Sequence, residues 1–175
     1  MMRATHVIGG CAAWLAVCAA ASPPAVVTLA GTVAAGVAAP LCDIDNVGAW
    51  ASRRRGSRRR AHPWKYRAAR VIAHWGAHRR GPCHSFIVTA CAAVLLAAPV
   101  LLAGWWPWAI AAAMGTGWWS HIALDLANAQ PVRAFWPFGP LIYGLGFRVG
   151  RRGELWLIRP AAAAAVALLA LVTLR

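Results

Sequence analysis

The sequence predicts an all-α polytopic membrane bundle of about five transmembrane helices, arranged as two hairpins plus a C-terminal helix, with a basic cytoplasmic arm. Three observations predict it. The chain is 61% hydrophobic with 11 Trp and has a mean hydropathy of +0.56. A soluble domain of 175 residues would be about half apolar and a quarter charged. Apolar stretches recur at the roughly 20-residue length a bilayer requires, each closed by Pro, Gly or polar residues. The charges are one-sided, with 18 Lys and Arg against Asp43, Asp45, Asp125 and Glu154, a net charge of +14. In a chain this apolar, such an excess reads first as loops retained on the cytoplasmic side. Membrane lipids are therefore the expected partners ahead of nucleic acid, and every one of the four acids needs a reason.

The first predicted helix runs from about Thr5 to Ala21 and stops at Ser22, Pro23 and Pro24. Its start, Met1 to Arg3 ahead of an apolar stretch ending in Ala19, Ala20 and Ala21, also fits a cleaved signal peptide, whose loss would remove His6. The second helix runs from Ala25 to about Leu41 and ends in Cys42, Asp43, Ile44 and Asp45. Residues 46–84 form the basic arm. The third helix covers about Ser85 to Ala103, with Ser85 as a candidate cap. Trp105, Trp106, Pro107 and Trp108 suit an aromatic turn at the bilayer interface before the fourth helix, which reaches about Ala127. Residues 128–153 form a loop rich in Pro, Gly and aromatics, and the fifth helix covers about Leu155 to Leu174. The whole chain, 1–175, reads as one membrane domain. Arg-rich arm and loop belong in the cytoplasm and the uncharged connections at Ser22 to Pro24 and Gly104 to Pro107 outside.

On that topology the candidate metal ligands collect at one end. His6 opens the first helix, Asp43 and Asp45 close the second, His78 and His84 precede the third, and His121 and Asp125 lie in the last turns of the fourth. His121 and Asp125 are four apart and share a helix face. An ionisable residue in a membrane helix is costly and by default faces the bundle and has a function. Asp43 and Asp45 flank Ile44, and in a non-helical segment alternation would point both carboxylates one way. The plainer reading is a helix end followed by a polar turn, although acids there oppose the helix dipole. His78 and His84 bracket Arg79, Arg80, Gly81, Pro82 and Cys83, so a bent connection could bring the two imidazoles together. Cys11, Cys18, Cys42, Cys83 and Cys91 form no CxxC pair and read as packing residues. His and Asp ligands without thiolates suit a divalent metal, zinc first, with manganese or iron as the other options. An open site of that kind activates water and polarises a carbonyl or phosphoryl oxygen. Asp45, His84 and Arg79 are the residues expected to act on substrate, Arg79 and Arg80 as a phosphate clamp.

The ordered stretches Thr5-His6 with Gly9 and Gly10, Asp43-Ile44-Asp45, His78-Arg79 through His84-Ser85, Trp119-Ser120-His121 to Asp125, and Trp136-Pro137-Phe138 span most of the chain. Together they resemble the YdjM-like, LexA-regulated membrane-bound metal-dependent hydrolases. The chain departs from that pattern at Asn128 and Cys83, where Thr is expected. The resemblance implies a small helical inner-membrane protein with a His/Asp cluster similar to that of zinc-dependent phospholipase C. Its ligand pool would be His6, Asp43, Asp45, His78, His84, His121 and Asp125. The function expected is hydrolysis of a phosphoester or acyl bond, of a lipid or another small molecule, at the cytoplasmic face. The alternative is a non-enzymatic membrane protein with a structural metal site and a basic arm that binds anionic lipid or nucleic acid.

Overall fold

A computed structural model describes residues 3–45, 71, 79–101, 105–148 and 150–174. Helix α1, Arg3–Ala21, ends where Ser22 adopts a φ of 48° and its N–H caps the Cys18 carbonyl at 2.8 Å. Two prolines then prevent continuation, and the Pro24 carbonyl starts α2, Ala25–Ala38, by accepting from the N–H of Val27 and Thr28. Pro40 has no N–H with which to continue the i to i−4 ladder. The chain tightens there into a 3₁₀ segment, Ala39–Asp45. The extended alternation expected around Asp43 is thus replaced by a continuation of the helix.

A short 3₁₀ turn, Pro82–His84, leads into α3, Phe86–Leu101. Ser85 caps α3 as expected: its Oγ accepts from the Val88 N–H at 3.4 Å and donates to the Trp136 carbonyl at 2.8 Å. Helix α4 spans Trp105–Leu126. The Trp105 to Trp108 stretch forms its first turn instead of a separate interfacial turn, because Pro107 lies where the backbone N–H has no helical partner anyway. After a loop, a π-helical turn, Glu154–Ile158, runs directly into α5, Arg159–Thr173.

The five helices among the described residues form a bundle in which α1 and α4 are central. Helix α2 packs on both of them, α3 packs on α4, and α5 packs on α1. No strand occurs among these residues, in agreement with the all-α expectation. Three helical runs, Arg3–Ala21, Ala25–Ile44 and Glu154–Thr173, are long and apolar enough to cross a membrane, and Phe86–Leu95 is a shorter apolar run. Helix α4 has 22 residues, but its tryptophans, Ser120, His121 and Asp125 lower its hydropathy.

Lipid tails are as apolar as leucine, so helices in a bilayer associate through close packing at small residues. The centre of this bundle has that character. A Cβ at Gly10 of α1 or at Gly117 of α4 would collide with the backbone of Ala35. Ala35 is fully buried and belongs to a cluster with Trp14, Cys18, Val27, Ala109 and Ala113. Val26, Leu29, Val33 and Val37 line the opposite face of α2 and are exposed, at the helical spacing expected of a lipid-facing stripe.

The 128–148 loop is tied back beneath the helix ends. Val132 and Ile142 exchange N–H to carbonyl bonds at 3.0 and 2.9 Å, and Phe147 pairs with Ala127 and Ala129. The Phe86 N–H donates to the Ala134 carbonyl at 2.8 Å and the Arg133 N–H to the Arg79 carbonyl at 2.9 Å. A second apolar cluster of Cys42, Ile122, Val132 and Ala134 fills the space between this loop, α4 and the end of α2.

Candidate metal centre

Four separate segments contribute polar side chains to one point at this end of the bundle. His6 comes from the first turns of α1, Asp43 from the 3₁₀ extension of α2, His84 from the turn before α3, and His121 and Asp125 from the last turns of α4. His6, His84, His121 and Asp125 are fully buried, while the Asp43 side chain is about one-third exposed. The structure therefore brings together five of the sequence-predicted ligands. His78 and the side chain of Asp45 lie outside the described residues.

The Asp125 carboxylate is the hub. Its Oδ2 lies 3.5 Å from His84 Nε2 and 3.6 Å from His121 Nε2, and its Oδ1 lies 3.4 Å from His6 Nε2. Asp43 Oδ1 closes the other side, 3.6 Å from His121 Nε2 and 3.9 Å from His84 Nε2. Two overlapping groups have metal-binding spacing, His6 with His121 and Asp125, and Asp43 with His84 and His121. His121 belongs to both, and its ring stacks on that of His6 with centroids 3.7 Å apart.

These separations discriminate between two uses of the cluster. Charge-assisted N–H to O bonds are about 2.7–2.9 Å long, and a 3.6 Å approach is not a hydrogen bond. Donor atoms sharing one tetrahedral ion at about 2.0–2.2 Å stand roughly 3.3–3.6 Å from one another. The distances within the cluster fall in or near the second range. Both ring nitrogens of His121 are buried and make no hydrogen bond, an expensive arrangement for a polar group unless something else occupies the space between the donors. The His and Asp residues thus fit a divalent metal on geometry and on donor chemistry, and no cysteine belongs to either group. Cys42 directs its Sγ to the Trp118 carbonyl at 3.8 Å.

Arg79, expected as part of a phosphate clamp, lies against the Asp125 carboxylate. Its guanidinium is buried and meets Asp125 at two points, Nη2 donating to Oδ1 at 3.2 Å and Nε lying 3.2 Å from Oδ2. The Arg79 backbone has a φ of 65°, a left-handed conformation costing roughly 1–2 kcal/mol outside glycine. The Asp125 contact and the Arg133 bond to the Arg79 carbonyl hold it there. Arg80, next in sequence, is exposed.

Asn128 completes the hub, donating from Nδ2 to Asp125 Oδ1 at 2.7 Å. The sequence reading missed this role, although an asparagine three residues after Asp125 at a helix end was a signal for it. Asn128 thus holds Oδ1, Arg79 spans both oxygens, and Oδ2 also faces His84 and His121. Trp118 steadies the turn that carries His84, its Nε1 donating to the Cys83 carbonyl at 2.9 Å.

Comparison with known proteins locates the chain by family. No curated protein and no solved structure matches it. The YdjM inner membrane protein family matches over residues 1–175, and the chain belongs to that family.

Proposed function

We propose that this protein is a metal-dependent hydrolase of the inner membrane that cleaves a phosphoester or acyl bond of a lipid. Its five helices cross the bilayer and its site lies at the cytoplasmic face. The observation that carries this reading is the pair of overlapping groups with metal-binding spacing, His6 with His121 and Asp125, and Asp43 with His84 and His121. These five residues would hold the metal, zinc first. Asp45 and His78 belong to the ligand pool on sequence position. When bound, such an ion supplies Lewis acidity toward an ester oxygen and lowers the pKa of water.

The protein's own groups do the rest. Asn128 and Arg79 fix the Asp125 carboxylate. Arg79 Nη1 is buried and makes no hydrogen bond, so it is a donor available to an anionic phosphoester. An apolar groove of about 370 Å³ between α1 and α2 favours a lipid substrate. It is lined by Val7, Val33, Gly36 and Val37 and has Arg3 and Pro40 at the site end. An acyl chain would lie along the valines with its anionic headgroup beside Arg3. The cytoplasmic orientation rests on the Arg-rich 46–84 arm and 128–153 loop.

One observation favours a second reading. Arg79 neutralises Asp125 within the cluster itself, as a purely structural network would require, and the basic arm would then bind anionic lipid or nucleic acid. Metal analysis of detergent-purified protein separates the two. The hydrolase reading expects stoichiometric metal in the wild type, loss of it in Asp125→Ala and His121→Ala, and turnover of phospholipid or a generic phosphodiester that fails in the same variants. Metal-free wild type, or unchanged content in both variants, sinks it.

A further inference from the structure

Among the acids whose side chains are described, Glu154 stands outside the metal centre, and it is 1% exposed. A buried carboxylate in a membrane protein is rare and by default functional. Its Oε1 accepts from the Thr5 hydroxyl at 2.7 Å, across 149 residues of sequence, and its Oε2 accepts from the Gly150 N–H at 2.7 Å. Glu154 also opens the π-helical turn before α5, and π turns are frequent at functional sites. Thr5, fully buried, directly precedes His6.

Neighbouring residues of a helix point about 100° apart, so the first turns of α1 are gripped on two sides. Thr5 reaches Glu154 beside α5, and His6 reaches Asp125 and His121 on α4. We infer that Glu154 and Thr5 form a latch that sets the rotation of α1 about its axis and so places His6 at the metal centre. Side-chain tips lie roughly 6 Å from a helix axis, so a 10° rotation displaces the imidazole by about 1 Å. Such a displacement is enough to spoil a ligand position. Glu154 and Thr5 are positioning residues on this account: they touch neither ion nor substrate, and they act through His6.

The inference rests on the metal reading and makes a claim of its own, that the latch is coupled to His6. Zinc affinity is measured by chelator competition on the full chain in detergent for wild type, Thr5→Val, Thr5→Ser, Glu154→Ala and His6→Ala, and for Thr5→Val combined with His6→Ala. Removing an outer partner of a metal ligand typically costs 10–100-fold in affinity. Thr5→Val and Glu154→Ala are expected to weaken zinc about tenfold or more, while Thr5→Ser retains wild-type affinity. In the His6→Ala background, Thr5→Val is expected to change nothing further. Thr5→Val keeps the volume of the side chain, so it carries the test even where Glu154→Ala does not fold. The latch is overturned if Thr5→Val binds zinc like the wild type, or if it weakens binding equally with and without His6. A wild type that binds no zinc overturns the metal reading and the latch together, whereas failure of the latch alone leaves wild-type binding intact.

Discussion

Asp125→Asn is the substitution that most directly separates a metal centre from a charged structural network. The amide occupies the volume of the carboxylate but cannot serve both Arg79 and a metal. In the metal-free protein it leaves the guanidinium, 10% exposed in its side chain, without its counter-charge. Breaking a buried pair by removing one partner costs about 3–5 kcal/mol. Both readings expect that loss, so the loss alone decides nothing. The deciding quantity is the response to zinc. Zinc at about 100 times its Kd would stabilise a binding-competent protein by about 2.7 kcal/mol, a clear rise in the thermal midpoint, and Asp125→Asn should lose most of it. The companion variant replaces both charges, Arg79→Met with Asp125→Leu. Swapping a buried ion pair for apolar residues of similar volume is often neutral or stabilising, so this double variant should recover the stability of the metal-free wild type. It should also show no response to zinc. Thermal unfolding in detergent, with and without zinc, reads all of these outcomes. The reasoning is refuted if zinc leaves the wild-type midpoint unchanged or raises the midpoints of wild type and the double variant equally.

Other expectations follow from the packing. Asn128→Ala removes the 2.7 Å bond that orients Asp125 and should weaken zinc roughly tenfold by chelator competition, whereas Asn128→Thr keeps a donor and should weaken it less. Gly117→Val would drive a side chain into the Ala35 backbone, which cannot move aside as a side-chain tip can. A loss of about 3 kcal/mol is expected, seen as reduced recovery of folded protein, while Ala113→Gly at a neighbouring buried position should be milder. Val33→Lys places a charge on the exposed stripe of α2 near mid-membrane. It should disfavour insertion by about 2.5–3.5 kcal/mol in a membrane-integration assay; unchanged integration would argue against α2 as a lipid-facing span.

The helices were legible because their signals are long and redundant. Twin prolines at Pro23 and Pro24 end one apolar run and begin another, and Ser85 precedes the next in a capping position that the structure fills. The clustering of the candidate ligands was legible for a different reason. His6, Asp43, His84, His121 and Asp125 are costly residues in apolar surroundings, and a topology fixed by hydropathy carries all of them to one end. Features that depend on approach across the bundle were not legible. Arg79 looks like any other member of an Arg-rich arm until its backbone turns left-handed and its side chain folds onto Asp125. Glu154 lies 149 residues from the hydroxyl it accepts, and nothing local in sequence names Thr5 as its partner. The 3₁₀ continuation of α2 through Asp43 follows from Pro40, but sequence pattern alone does not choose it over an extended turn.

The origin of the ligands bears on how the bundle assembles. Each of four segments supplies one or two donors: His6 and Asp43 come from the α1–α2 pair, and His84, His121 and Asp125 from the α3–α4 pair. The complete five-residue cluster therefore cannot form in an isolated hairpin. It forms when the α1–α2 pair and the α3–α4 pair have docked, where Gly117 of α4 lets Ala35 of α2 approach closely. An ion held by the complete cluster would favour the docked state over the separate pairs. Chelation should accordingly loosen the contact between the pairs before it melts any helix. Cross-linking between a cysteine introduced on α1 and one on α4 should fall on addition of chelator while helical circular dichroism is retained. If cross-linking and helicity fall together, or neither responds, the ion is not what joins the two pairs.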